Sequence, residues 1–269
     1  MSGINFCKFH GFGNDYIVFE AEDLREIADL NDFSKRVCHR NTGIGGDGIA
    51  VLERLGGAEA DYACRIINPD GSEAGFSGNG TRCAVAYLYY KNLWRENSLK
   101  LKTMSGIKIY ELLEKNDYTF WFLAELGKPH SITNYDLRIT HYVLPVISLD
   151  VGNPAAAIFV DDFDEIDWRS AGREIESHAQ FPERTNVVFV KIIDQNNIEI
   201  RIWERGAGET SSSGTCSIAA AVASVFTGKT GRRVSVHAEG GTTEAVWRDD
   251  DEMLITGRAD LAFCGAWFN

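Results

Sequence analysis

Several things are scarce or missing in this 269-residue chain, and each absence removes a class of function. Positive charge is scarce: 27 lysines and arginines against 39 aspartates and glutamates leave a net charge of −12. Such a field repels nucleic acid and anionic membrane surfaces, so neither is expected as a partner. No apolar run approaches the length needed to span a bilayer. The opening Met1-Ser2-Gly3-Ile4-Asn5-Phe6 carries no basic stretch followed by an apolar one, so a cytoplasmic protein is expected. Cys7, Cys38, Cys64, Cys83, Cys216 and Cys264 form no CxxC pair, and reduced thiols are expected. The six histidines show no metal-ligand spacing, so no metal site is expected. Gly43 to Gly48 satisfies the letter of GxGxxG, but a helix-like segment precedes it and the strand-like Ile49-Ala50-Val51-Leu52 follows, the reverse of a dinucleotide-binding unit.

What is present is one design used twice. Arg65-Ile66-Ile67-Asn68-Pro69-Asp70-Gly71-Ser72-Glu73 leads to Ser77-Gly78, and Arg201-Ile202-Trp203-Glu204-Arg205-Gly206-Ala207-Gly208-Glu209 leads to Ser213-Gly214. A constant offset of 136 positions relates Arg65 to Arg201, Glu73 to Glu209 and Ser77 to Ser213. Each copy passes from a β-branched stretch through a glycine-containing turn into an alanine-rich run, and so builds one helix N-terminus. The free N–H groups and dipole of such an end attract a carboxylate, so two of them can clamp one anion. Gly13-Asn14-Asp15-Tyr16-Ile17 and Gly152-Asn153-Pro154-Ala155-Ala156 form a weaker pair at an offset of 139. At this length the duplication predicts two domains.

The coarse pattern is α+β with short strands. Residues 64–67, 108–112, 119–123, 186–190 and 198–202 read as strands by alternation or β-branched density. Asp32 to His39 and Asp167 to Ala179 read as surface helices, the second capped by Asp167. The runs at Ala84-Val85-Ala86-Tyr87-Leu88 and Ala219-Ala220-Ala221-Val222-Ala223 are apolar nearly all round, which predicts burial on every side, each a central helix in a curled strand layer. The crossover between domains is expected near Asn116 to Pro129.

The ordered series Lys8-Phe9-His10-Gly11-Phe12-Gly13-Asn14-Asp15, Gly43-Ile44-Gly45-Gly46-Asp47-Gly48, Asn68-Pro69-Asp70-Gly71 with Ser77-Gly78-Asn79-Gly80-Thr81-Arg82, Val151-Gly152-Asn153-Pro154, Arg184-Thr185-Asn186, and Glu204-Arg205-Gly206 with Ser213-Gly214-Thr215 resembles the diaminopimelate epimerase family over essentially the whole chain. The resemblance implies two pseudo-symmetric domains, each a mixed, barrel-like β layer around a central helix. The halves are expected at residues 1–120, with 258–269 returning to the first, and at 121–257. It also implies an isomerase that inverts an amino-acid α-carbon with neither pyridoxal phosphate nor metal, interconverting LL- and meso-diaminopimelate for lysine and peptidoglycan synthesis. A homodimer is admitted as its assembly.

By the same resemblance, Asn14, Asn68, Asn153, Asn186, Glu204 and Arg205 receive the distal amino-carboxylate end of the substrate, while Gly78, Asn79, Gly214 and Thr215 offer helix N–H groups to the reacting carboxylate. These residue types suit the task, since arginine forms a fork to a carboxylate and glutamate balances an ammonium. The departures fall on the chemistry. Ser77 and Ser213 stand at the two catalytic positions where the family carries cysteine, Ala155 stands where it has histidine, and Cys216 replaces a glycine. A serine hydroxyl is neutral and a far weaker base than a thiolate, and the roughly 0.3 to 2 kcal/mol available from a helix dipole does not close that gap. Three readings stay open: an epimerase of diaminopimelate impaired by the serines, a related racemase or isomerase with another substrate, and a non-catalytic amino-acid binder.

Overall fold

The computed structural model describes residues 3–57 and 59–268. The chain divides into two compact units, the first running to Ala124 and resuming at Gly257, the second spanning Glu125–Thr256.

In the first unit β1 (Ile4–Gly11) and β2 (Asn14–Glu20) form an antiparallel hairpin through Phe12-Gly13, both at positive φ. Helix α1 (Leu30–Cys38) then crosses over so that β3 (Gly48–Arg54) runs parallel to β2, with Tyr16 opposite Gly48. β4 (Tyr62–Ile67) returns antiparallel to β3, and β5 (Glu73–Ala74) pairs back onto it. Next come α2 (Gly78–Tyr90), β6 (Ser98–Thr103) parallel to β4, β7 (Gly106–Asn116) antiparallel to β6, and β8 (Thr119–Glu125).

After β9 (His130–Arg138), the second unit repeats this order. β10 (Val143–Asp150) and β11 (Pro154–Phe159) are antiparallel. α3 (Trp168–Glu176) crosses to β12 (Asn186–Asp194), parallel to β11 with Ala155 opposite Asn186. β13 (Asn197–Glu204) and β14 (Gly208–Thr210) follow antiparallel, then α4 (Gly214–Phe226), β15 (Arg233–Ala238) parallel to β13, and β16 (Gly241–Trp247) antiparallel to β15. The long β17 (Met253–Trp267) begins against β16 and ends against β1.

The alanine-rich helices are central, as their all-round apolarity predicts. In α2 every residue from Gly78 to Tyr89 is buried, and in α4 every residue from Gly214 to Ser224. α2 packs on β1 to β4, and α4 on β10 to β13, β15 and β16. Alanines line the core-facing turns because strands curl closely around each helix. The other side of each layer is covered by the amphipathic helix: Phe33 and Val37 of α1 pack with Ile17, Phe19, Ile49 and Val51, and Trp168, Ala171 and Ile175 of α3 with Ile158, Val187 and Phe189. Strand alternation therefore sends Ile17 and Phe19 to α1 and the intervening positions of β2 to α2.

Three details differ from the sequence reading, one of them the end of α3, which stops at Glu176 rather than Ala179. Helix α1 starts at Leu30 rather than Asp32, because the Asp29 carboxylate caps the N–H groups of Asn31 and Asp32 at 2.9 and 3.2 Å. Cys7 and Cys264 form a disulfide, against the expectation of six reduced thiols. They sit directly opposite each other in the β1–β17 ladder, a juxtaposition made by a strand pairing across 257 positions of sequence. Cys38, Cys64, Cys83 and Cys216 are free and buried. Among the described residues no helix is long and apolar enough to cross a membrane.

Candidate active site

Each unit carries one copy of the repeated motif, a half-site in the sense of the sequence duplication only, at the N-terminus of its central helix. In the first, Ser77 is extended (φ −134°, ψ 119°) and caps α2, its Oγ accepting from the Gly80 N–H at 3.1 Å. In the second, Ser213 (φ −148°, ψ 121°) caps α4, accepting from the Cys216 N–H at 3.4 Å. The backbone oxygen of Ser77 accepts from Thr81 Oγ1 at 2.6 Å and that of Ser213 from Ser217 Oγ at 2.8 Å. The two catalytic positions of the resemblance thus have the same local build, N-cap included.

Their remaining partners differ. Ser77 Oγ shares a 2.9 Å hydrogen bond with the phenol of Tyr16 on β2. Ser213 Oγ instead donates to Glu204 Oε2 at 2.9 Å, while Glu204 Oε1 accepts from Thr210 Oγ1 at 2.8 Å. Ser213 is nearly enclosed, 4% exposed. Neither Tyr16 nor the hydroxyl contact of Glu204 is marked by a motif.

The second half-site gathers most of the binding residues expected from sequence. Arg205 donates through Nη2 to Asn153 Oδ1 at 3.2 Å, and its backbone N–H to Asn186 Oδ1 at 3.1 Å. Asn186 Nδ2 is held by the Pro154 carbonyl at 2.9 Å, and Arg205 Nη1 donates to the Glu183 carbonyl at 3.0 Å. The turn carrying Glu204 and Arg205 continues through Gly206 at φ +79°, a conformation that favours glycine. Glu176 at the end of α3 anchors it: its carboxylate accepts from the Gly206 N–H at 2.7 Å and the Trp203 indole at 2.8 Å, and pairs with Arg184 at 2.7 Å. The close approach of α3 to β13 depends on Gly172, where a Cβ would lie 2.8 Å from Trp203 Cβ. Sequence reasoning missed Glu176, which has no motif.

In the first half-site, Gly78 and Asn79 follow Ser77 in the first turn of α2, and Asn79 Oδ1 accepts from the buried Arg82 at 2.9 Å. Asn14 and Asn68 are placed differently from Arg205 and its partners: they are engaged locally. Asn14 Nδ2 donates to Asp47 Oδ2 at 2.8 Å, and Asn68 Nδ2 to Ser72 Oγ at 3.0 Å. The glycine-rich segment 43–48 closes the C-terminus of α1, with Ile44, Gly45 and Gly46 N–H groups on the Val37 and Cys38 carbonyls. It delivers Asp47 into a cluster with Asp15, Arg40 and Asn14. Burial alone would raise the Asp15 carboxyl, but Arg40 and Lys8 outweigh it and hold it below its ordinary value. Burial and the neighbouring Asp15 raise Asp47.

The free thiols do not replace the missing pair. Burial pushes Cys83 and Cys216 far above the ordinary thiol range, with the Glu204 carboxylate adding to the rise at Cys216. Both side chains are fully enclosed, so the sulfurs are protonated and out of reach at neutral pH. No group of three or more His, Cys, Asp or Glu suited to a metal occurs among the described residues.

The two serine-capped helices carry the signature stretches in order, and the diaminopimelate epimerase family model matches residues 6–130 and 147–262. The chain belongs to the diaminopimelate epimerase family. A diaminopimelate epimerase of Pelotomaculum thermopropionicum is 35% identical over 280 residues, covering 98% of this chain and 99% of that protein. One from Methanococcus maripaludis is 34% identical over 276 residues, covering 97% and 99%. Solved structures share the fold at low identity. A Bacillus anthracis phenazine biosynthesis protein of the PhzF family aligns with TM-score 0.74 at 16% identity over 100% of both chains. A probable proline racemase of Agrobacterium radiobacter K84 aligns with TM-score 0.74 at 16% identity, over 98% of this chain and 93% of that one. The pseudo-symmetric pair of helix-centred domains in this family member is thus a fold shared with distant racemase and PhzF-type structures.

Proposed function

We propose that the chain is a cofactor-independent amino-acid epimerase that takes diaminopimelate and acts at its α-carbon, in lysine and peptidoglycan biosynthesis in the cytoplasm, as a monomer or homodimer. The observation that carries this reading is the pair of serine-capped helix N-termini at equivalent repeat positions, in a member of this family. Ser77 and Ser213 are the residues assigned to exchange of the α-proton, each the cap of its unit's central helix. Gly78, Asn79, Gly214 and Thr215 supply N–H groups for the reacting carboxylate. Asn14, Asn68, Asn153, Asn186, Glu204 and Arg205 hold the distal end, and the interlocked Asn153, Asn186 and Arg205 support this most directly. Inversion by one base would tend to return the proton to the face it left, so a donor opposite the base is needed. With hydroxyls in place of thiols, turnover is slow.

Equilibrium binding with the diaminopimelate stereoisomers, lysine, histidine and proline tests the assignment. A preference for diaminopimelate is expected; tighter binding of an amino acid with a single α-carbon end would contradict it. Such a result would favour the second reading, a related racemase or isomerase, for which Ala155 speaks: it is buried on β11 where the family resemblance has a histidine. Binding without any exchange would leave the third, a non-catalytic binder.

A further inference from the structure

Arg82 is a cation with almost no access to water. It lies one turn into α2, is 1% exposed, and burial pulls its pKa below the ordinary value. Taking a guanidinium out of water is costly unless its donors are satisfied. Helix geometry tilts the side chain back towards the helix start. There Nη1 donates to Asn79 Oδ1 at 2.9 Å and to the Arg258 carbonyl at 3.4 Å. Both acceptors are neutral. Two strands leave room for the pair: a Cβ on Gly257 of β17 would lie 2.4 Å from Arg82 Cζ, and one on Gly11 at the end of β1 would lie 2.9 Å from Asn79 Oδ1. Neither glycine has a positive φ, so what the absent side chains give is space.

The repeat supplies a comparison. The offset of 136 that carries Ser77 to Ser213 carries Asn79 to Thr215 and Arg82 to Ile218. Ile218 is fully buried in α4 and fills the equivalent position without any charge. A helix sheathed by strands therefore needs no cation at this place. Other contacts are kept in both copies: Thr81 and Ser217 each donate to the carbonyl of the capping serine. The arginine is particular to the copy that has an asparagine three positions before it.

We propose that Arg82 is a positioning residue for the substrate carboxylate at the start of α2, acting through Asn79 by fixing which way its amide faces. This rests on the proposed epimerase reading, in which Gly78 and Asn79 receive that carboxylate. An asparagine amide carries an acceptor on one branch and two donors on the other, in nearly the same shape. Arginine has only donors to offer. Arg82 therefore holds the oxygen on its own side and turns Nδ2 to the other. Donors are then what this side chain adds to the N–H groups of the first turn, as an anion requires. Without Arg82 the amide is free to present its oxygen, which repels a carboxylate.

Calorimetric titration of diaminopimelate into single and double variants, with urea unfolding of each, tests this. Arg82→Met releases the amide and should weaken binding about 10–100-fold, the scale of a lost hydrogen bond to a charged group. Arg82→Lys restores a donor and should cost less than about tenfold. In an Asn79→Ala background there is no amide to orient, and Arg82→Met should then cost less than about threefold. Asn79→Asp keeps an oxygen for Arg82 but replaces the Nδ2 donors by a second oxygen. Its urea midpoint should hold or rise, while affinity falls at least about tenfold. Asn79→Asp and Arg82→Lys carry the test if Arg82→Met does not fold. Equal losses from Arg82→Met in both backgrounds would show a role independent of Asn79 and overturn the proposal. So would Arg82→Lys as damaging as Arg82→Met, or unchanged affinity in Asn79→Asp. If the unmodified chain binds no diaminopimelate, the epimerase reading itself fails and the proposal falls with it.

Discussion

Replacing Glu176 by glutamine should destabilise the second unit and weaken its half-site together. The carboxylate is 4% exposed and serves three donors: the Trp203 indole, the Gly206 N–H and Arg184. Glutamine keeps the shape but offers one oxygen, so either the indole or the Gly206 N–H faces an NH2 group. The loss of one bond to a charged acceptor costs about 1.5–3 kcal/mol, and a buried donor left against a donor adds about 1–3 kcal/mol. Arg184 is half exposed, and its pair adds at most about 1 kcal/mol. Together these come to about 2.5–7 kcal/mol, large against the stability of most domains. Urea unfolding should show a lower midpoint at unchanged slope. Because Gly206 adjoins Arg205, ligand affinity should fall in the same variant under conditions where it remains folded. A stability change below about 0.5 kcal/mol would refute the view that Glu176 anchors the Trp203–Gly206 turn.

Arg205→Ala should weaken binding of the preferred ligand by about 2–5 kcal/mol, the cost of leaving a charge partner unpaired; calorimetry showing unchanged affinity would place Arg205 outside the site. Alkylation of the unfolded chain without reductant should label four cysteines and after reduction six, since Cys7 and Cys264 are joined. Six labels before reduction would contradict that pairing. In the native state at pH 8, Cys38 and Cys64 should react slowly, because burial pushes their thiols up to about 11 and about 12. Asp15 is held below its ordinary value, so the stability it contributes is complete above the unfolded carboxylate range and is lost as pH falls through the lowered value. Asp15→Asn should therefore flatten the fall in stability below about pH 4, while the raised Asp47 works in the opposite sense. An acid limb unchanged in the variant would refute the assignment.

The parts of the fold visible in sequence are those with local causes. All-round apolarity marked α2 and α4 as central helices, β-branched density marked β4, β12 and β13, and the Asp167 cap of α3 appears as read, its carboxylate accepting from the Ser170 N–H. Asp29 was overlooked as a cap because Asp32, three positions later, offers the same chemistry. The Cys7–Cys264 bond depends on which strands meet after β17 returns, and no spacing encodes that. At the site, the Ser77 and Ser213 helix starts were legible through the repeat, as was the Glu204-Arg205 turn. Tyr16 was not, because its contact with Ser77 depends on the parallel β2–β3 register, which sets one edge of its ring beside Gly48 and Gly80. Glu176 was hidden for a similar reason: α3 must lie against β13, through Gly172, before its carboxylate can reach the turn.

The central claim is that this chain keeps the family's binding frame and has exchanged its thiol pair for hydroxyls. Deuterium uptake at the α-carbon of each diaminopimelate stereoisomer, compared between the unmodified chain and Ser77→Cys/Ser213→Cys, tests it most directly. The account predicts slow uptake in the first, an increase of several orders of magnitude in the second with little change in affinity, and in either single-cysteine variant exchange restored more fully than inversion. Inversion by the unmodified chain at a rate equal to that of the double-cysteine protein would contradict it.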